Sequence, residues 1–106
     1  MEIDIDVLRG LCNNKTIKWM EHIALRMLKR QISRHQVIAA IQSGEIIEQY
    51  PDDTPYPSCL VLGCDPGGQP LHVVCASASD SIWMITAYYP DSSEWEDELR
   101  TRRAAK

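Results

Sequence analysis

Between residues 36 and 99 the chain has no lysine and no arginine, although eleven acids lie there. It has no phenylalanine at all. No apolar run approaches the ~20 residues that a membrane-spanning helix needs. The Gly-x-x-x-x-Gly-Lys-Ser/Thr phosphate loop is missing, as are Gly-x-Ser-x-Gly and His-Glu-x-x-His. Each absence excludes something. A basic sheet that grips nucleic acid cannot be built from 36–99. Walker-type nucleotide hydrolysis, serine-elbow hydrolysis and zincin chemistry lose their motifs. Trp, Tyr, Leu and Ile must supply the bulk of the core. The opening "MEIDIDVLRG" is acidic where a secretory signal would be basic. Four cysteines without such a signal point to reduced thiols in a cytoplasmic protein.

What is present is a segregated charge. The 106 residues carry a formal net charge of −4 and have the size of a single domain. The blocks 1–14, 15–35, 36–99 and 100–106 hold −2, +5, −11 and +4. A basic patch and an acidic patch can coexist on such a chain, and patches decide partners.

The pattern along the chain sets the expected elements. Ile5, Leu8 and Leu11 at helical spacing predict a first helix over 4–14. Met20, Ile23, Ala24 and Met27 form the apolar stripe of a second, over 17–30. Ser33 with Gln36 fits a capping box, so a third runs from there to Gly44. The period then changes to that of strands at 45–50, 59–64, 71–77 and 81–90. "PDDTPYPS" and "DPGGQP" read as loop and turn. The acids at 94–98 followed by late arginines predict a C-terminal helix over 91–106. The expected fold is α+β: N-terminal helices on a four-stranded antiparallel meander, then a C-terminal helix.

His22, Arg26 and Arg30 stand at i, i+4 and i+8, so their side chains reach one side of a helix. Arg34 extends the basic stretch. Clustered cations repel one another unless an anion or an acidic partner sits among them, so Arg26, Arg30 and Arg34 are the candidate anion-binding set. His72 lies in a strand; a turn at "PGGQ" places it opposite Gly63. Cys64 and Cys75 then point one way, Cys59 and His72 the other, and no regular zinc spacing results. Neither a metal nor a cofactor is expected.

The run His22, Arg26, Arg30, Ile32-Ser33, Gly44 to Glu48 and Tyr50-Pro51, with "PSCLVLG", "GQPLHVV", "ITAYYPD" and Trp95, resembles a small prokaryotic family known only as domain of unknown function 4258. The resemblance implies a fold similar to the RelE/ParE and BrnT toxins. It implies, more weakly, a toxin–antitoxin role. Metal-free RNA cleavage needs a base, an acid and cations at the phosphorane. On this resemblance His22, His72 and Tyr88 are the candidate catalytic residues, with Arg26 and Arg30 stabilising charge. That expectation gathers His22, Arg26, Arg30, His72 and Tyr88 into one surface. The alternative is a non-catalytic module whose basic helix docks an acidic protein, or one that binds a small anion. Net acidity favours the alternative, and the histidines favour an RNA enzyme.

Overall fold

A computed structural model of the chain describes residues 2–14, 16–96 and 98–102. Three helices, α1 (Ile5–Asn13), α2 (Glu21–Arg30) and α3 (Arg34–Ser43), pack on a sheet. Its strands are β1 (Ile17–Trp19), β2 (Glu45–Tyr50), β3 (Ser58–Cys64), β4 (Pro70–Ser77) and β5 (Ile82–Tyr88). The fold is α+β.

Helices α1 and α3 begin where the sequence supplies a side-chain partner for their free N–H groups; α2, after Met20, begins without one. Asp4 accepts from the Asp6 amide at 2.8 Å and caps α1. Ser33 and Gln36 form the reciprocal capping box of α3. Arg9 crosses from α1 to the other end of α3, donating to the Ile41 and Gly44 carbonyls. The Ile41 carbonyl also takes the Gly44 amide, at 3.5 Å, and Arg9 adds a second donor at this helix end.

Strand order is β1-β5-β4-β3-β2. Neighbours β2 to β5 pair antiparallel, and β1 adds to β5 in parallel, with Ile17 opposite Ile82. The sheet is therefore five-stranded and mixed, not the expected four-stranded meander. Residues 17–20 were expected in the second helix. The open edge of β5 offers their backbone a better partner: Met20 N–H donates to the Met84 carbonyl at 3.3 Å. Helix α2 starts only after that bond.

The β3–β4 pairing also differs by one residue from expectation. His72 lies opposite Leu62, not Gly63. The Asp65 carboxylate accepts from the Gln69 amide, which draws Asp65 into the turn. The loop is thus 65–69, with Gly68 at φ +85°. A one-residue slip changes every cross-strand neighbour. Cys59 and Cys75 become opposite one another, sulfurs 3.9 Å apart, on the helix-facing side. Cys64 is exposed at the strand end.

The core lies between the helices and that face. Leu8, Ile23, Val37 and Ile41 meet Cys59, Val61, Val73 and Met84. Helix α3 can lie this close because Gly63 has no side chain; a Cβ there would sit 1.9 Å from the Ala40 carbonyl oxygen.

The expected C-terminal helix is absent from the described residues. The Glu94 and Trp95 amides donate to the Asp91 carbonyl, one turn only. Trp95 then pairs with Arg102 in an antiparallel bridge, and Leu99 turns through φ 63°. The burial of Trp95, 1% exposed, outweighs local helix propensity. Residues 91–102 form a strap across the second face of the sheet; Asp97 and 103–106 of the expected helix lie outside the described residues. No helix among those described is long and apolar enough to cross a membrane.

Candidate functional site

The second face of the sheet carries two separate groups of residues. The first surrounds a cavity of about 390 Å³. Met20, His22 and Arg26 form one wall, from α2 and the residue before it. Trp83 and Ile85 of β5, with Ser58 and Ala76, form the floor. Residues 53–56 of the β2–β3 loop form the far wall. A bulge in β5 shapes the floor. Val74 pairs with Thr86 but Cys75 with Met84, so Ile85 is the extra residue and faces outward.

Two rings meet at this cavity. Tyr56 and Trp83 pack edge to face, centroids 5.0 Å apart. The Trp83 indole N–H donates to Ser81, which fixes the ring. Lys18 holds its ammonium 5.6 Å from the Trp83 ring centre. His22 and Arg26, one helical turn apart, add an imidazole and a guanidinium. The Asp53 carboxylate, on the same cavity, accepts from the Ser58 hydroxyl. The arrangement offers apolar faces for a planar ring and donors for an anion beside it.

The basic stretch divides. Arg26 lines the cavity. Arg30 donates to the Ala87 carbonyl at 2.8 Å, on the β5 edge that β1 leaves open. Arg34, at the start of α3, stacks its guanidinium 5.3 Å over Trp19.

The second group lies under the strap. His72 is fully buried. Its Nε2 is 2.7 Å from the Leu99 carbonyl oxygen, and its Nδ1 is 3.2 Å from the Tyr88 hydroxyl. A carbonyl only accepts, so Nε2 carries the proton and Nδ1 accepts from Tyr88. Trp95 packs edge-on at 4.4 Å. Burial pulls the His72 imidazole below its ordinary pKa, against the Leu99 hydrogen bond and the Glu48 charge. Burial also pushes the Tyr88 hydroxyl up.

Glu48 and Tyr50 reach this face through another bulge. Ile46 pairs with Val61 but Glu48 with Leu60, so Ile47 is the extra residue. Arg102 of the strap forks onto Glu48 at 3.0 and 3.1 Å and lies 4.7 Å over Trp95. Burial would raise the Glu48 carboxyl, but hydrogen bonds from Arg102 and Tyr50 hold it below its ordinary value. Tyr50, buried and hydrogen-bonded to Glu48, is pushed up to about 12.

His72 and Tyr88 are thus brought together, as are His22 and Arg26, but the two pairs are distinct. His72 and Ala76 of the cavity floor are four residues apart on β4, ~13 Å at the rise of a strand. Sequence reasoning missed Asp53, Tyr56 and Trp83 at the cavity, Lys18 beside the Trp83 ring, and Glu48 and Tyr50 under the strap with Arg102 in it. Two bulges and a contact 54 residues apart in sequence place them, and neither leaves a local signal.

Residues 19–89 match the family described as Domain of unknown function (DUF4258). The chain belongs to that family. The DUF4258 match takes in α2, the cavity floor and both residues of the His72–Tyr88 pair, and it ends before the strap. No curated protein and no solved structure matches the chain.

Proposed function

We propose that this chain binds single-stranded RNA, holding one nucleotide in the cavity between α2 and β5. The observation that carries this reading is the convergence of Trp83 and Tyr56 with His22 and Arg26 around one cavity, with Lys18 beside the Trp83 ring. A nucleotide presents a flat ring and a phosphate, and these residues offer a partner for each. Stacking on an aromatic side chain contributes about 1–3 kcal/mol per base. A cavity of about 390 Å³ is within the ordinary range for ligand sites. The acids of β2 do not oppose this, because the contact is made by α2, Lys18 and two rings rather than by a basic sheet.

The finer reading is a cytoplasmic, toxin-type, metal-independent ribonuclease of a toxin–antitoxin pair, with a RelE/ParE/BrnT-like fold. Cleavage needs proton transfer on both sides of the scissile phosphate. His22 stands in the cavity wall, whereas His72 and Tyr88 are bonded to each other beneath Trp95. The geometry therefore supports binding more strongly than cutting.

A second reading, a protein-docking module, is favoured by Leu25 and Leu28 on the outer side of α2. They are 58% and 77% exposed, beside Lys29 and Arg26. An acidic amphipathic partner would cover them.

Fluorescence anisotropy with a labelled ten-nucleotide single-stranded RNA tests the first reading. Arg26→Ala and Trp83→Ala should each weaken binding about tenfold, equivalent to about 1.4 kcal/mol. With about two phosphate contacts, log affinity should fall against log salt with a slope of about −1.4. Leu25→Ser/Leu28→Ser should leave RNA binding unchanged. No RNA binding by the intact protein would leave the docking reading in its place.

A further inference from the structure

Among the described residues the strap has no ladder to the sheet. Its β-bridge is internal, between Trp95 and Arg102, with the Glu96 amide donating to the Thr101 carbonyl. It touches the sheet through Trp95 on His72, the Leu99 carbonyl on His72, Arg102 on Glu48 and Arg100 on Glu45. The Arg100–Glu45 pair is half exposed and the Arg102 end of the other is 58% exposed, and exposed charges are weakly paired and screened by salt. Leu99 is held in the left-handed region, which a leucine side chain opposes. The strap also lies outside the family match, while the surface beneath it lies inside.

That surface is a built receptor. Lifting the strap uncovers an imidazole N–H that wants an acceptor, a carboxylate that wants a guanidinium, and a slot beside His72 for a ring. We propose that this face of the sheet is a peptide-docking site, occupied here in cis by the chain's own strap and taken in trans by an arginine-bearing segment of a partner protein. The partner's arginine meets Glu48, its main-chain carbonyl meets His72, and a large apolar side chain fills the place of Trp95. Charge favours such a ligand, since β2 carries Glu45 and Glu48 and none of β2 to β5 carries a lysine or arginine. The site is separate from the RNA cavity and does not depend on it.

The test uses a fluorescein-labelled peptide with the sequence of residues 91–102, titrated into the full chain. Trp95→Ala/Arg102→Ala removes two of the side-chain anchors of the cis strap and leaves Arg100 on Glu45. This variant should bind the peptide at least tenfold more tightly than the wild type, whose site is filled. Adding Glu48→Gln to it should remove that gain. Circular dichroism establishes that each variant is folded. If the double variant does not fold, Arg102→Ala alone, which keeps Trp95 on His72, must still bind more tightly than wild type. Equal binding by wild type and the folded variants, or binding indifferent to Glu48→Gln, overturns the proposal.

Discussion

Acid should loosen this protein at His72, and the amount can be worked out. The imidazole is fully buried, donates to the Leu99 carbonyl and accepts from Tyr88. Burial holds its pKa below the ordinary 6.5, so the neutral ring is the folded form. In the unfolded chain the same ring takes up a proton as pH falls through ~6.5. The unfolded state then binds more protons than the folded one, and stability falls with pH. One proton of difference is about 1.4 kcal/mol per pH unit, so between pH 7.5 and 5.5 the loss is at most about 1.4 kcal/mol. Glu48, whose carboxyl is held below its ordinary value, acts in a lower window. Its contribution is intact above about pH 4.5 and is lost as pH falls below that. Urea unfolding followed by tryptophan fluorescence at pH 7.5 and 5.5 measures the first window. At a slope of about 2 kcal/mol/M the midpoint should fall by up to about 0.7 M. His72→Gln should abolish this contribution while lowering stability at both pH values. A wild-type fall that persists in full in His72→Gln would refute the assignment of a buried neutral imidazole.

Other outcomes follow from the packing. Gly63→Ala places a Cβ 1.9 Å from the Ala40 carbonyl oxygen, so α3 must move off the sheet. The cost should be about 3 kcal/mol or more by chemical denaturation, at the upper end for overpacking. Ser33→Ala removes the cap of α3 and should cost about 1 kcal/mol, with the loss seen as faster amide exchange in its first turn. Raising salt from 0.05 to 0.5 M should weaken both strap ion pairs and raise the rate at which a histidine-modifying reagent reaches His72.

The helices were legible because their signals are local. The capping box at Ser33–Gln36 and the stripe of Ile23 and Met27 are written within a few residues. Strand β1 was not legible, because 17–20 are compatible with a helix until β5 offers its edge. The slip at His72 came from one side chain, Asp65, which enlarges the turn. The strap failed as a helix because Trp95 and Arg102 find partners far away in sequence, at His72 and Glu48. As for the site, Arg26 and His22 were visible from their spacing alone. Trp83 and Tyr56 were not, since a bulge and a proline-rich loop bring them to the same cavity.

The central claim is that RNA meets this chain at the cavity floor, and the indole N–H resonance of Trp83 reports on that place. The chain has three tryptophans, at positions 19, 83 and 95, and Trp83→Phe assigns the signal. Titration with a single-stranded oligonucleotide should shift the Trp83 resonance in proportion to binding while leaving that of Trp95, under the strap, in place. A Trp83 resonance that stays fixed at saturating RNA, or a shift confined to Trp95, would contradict the account.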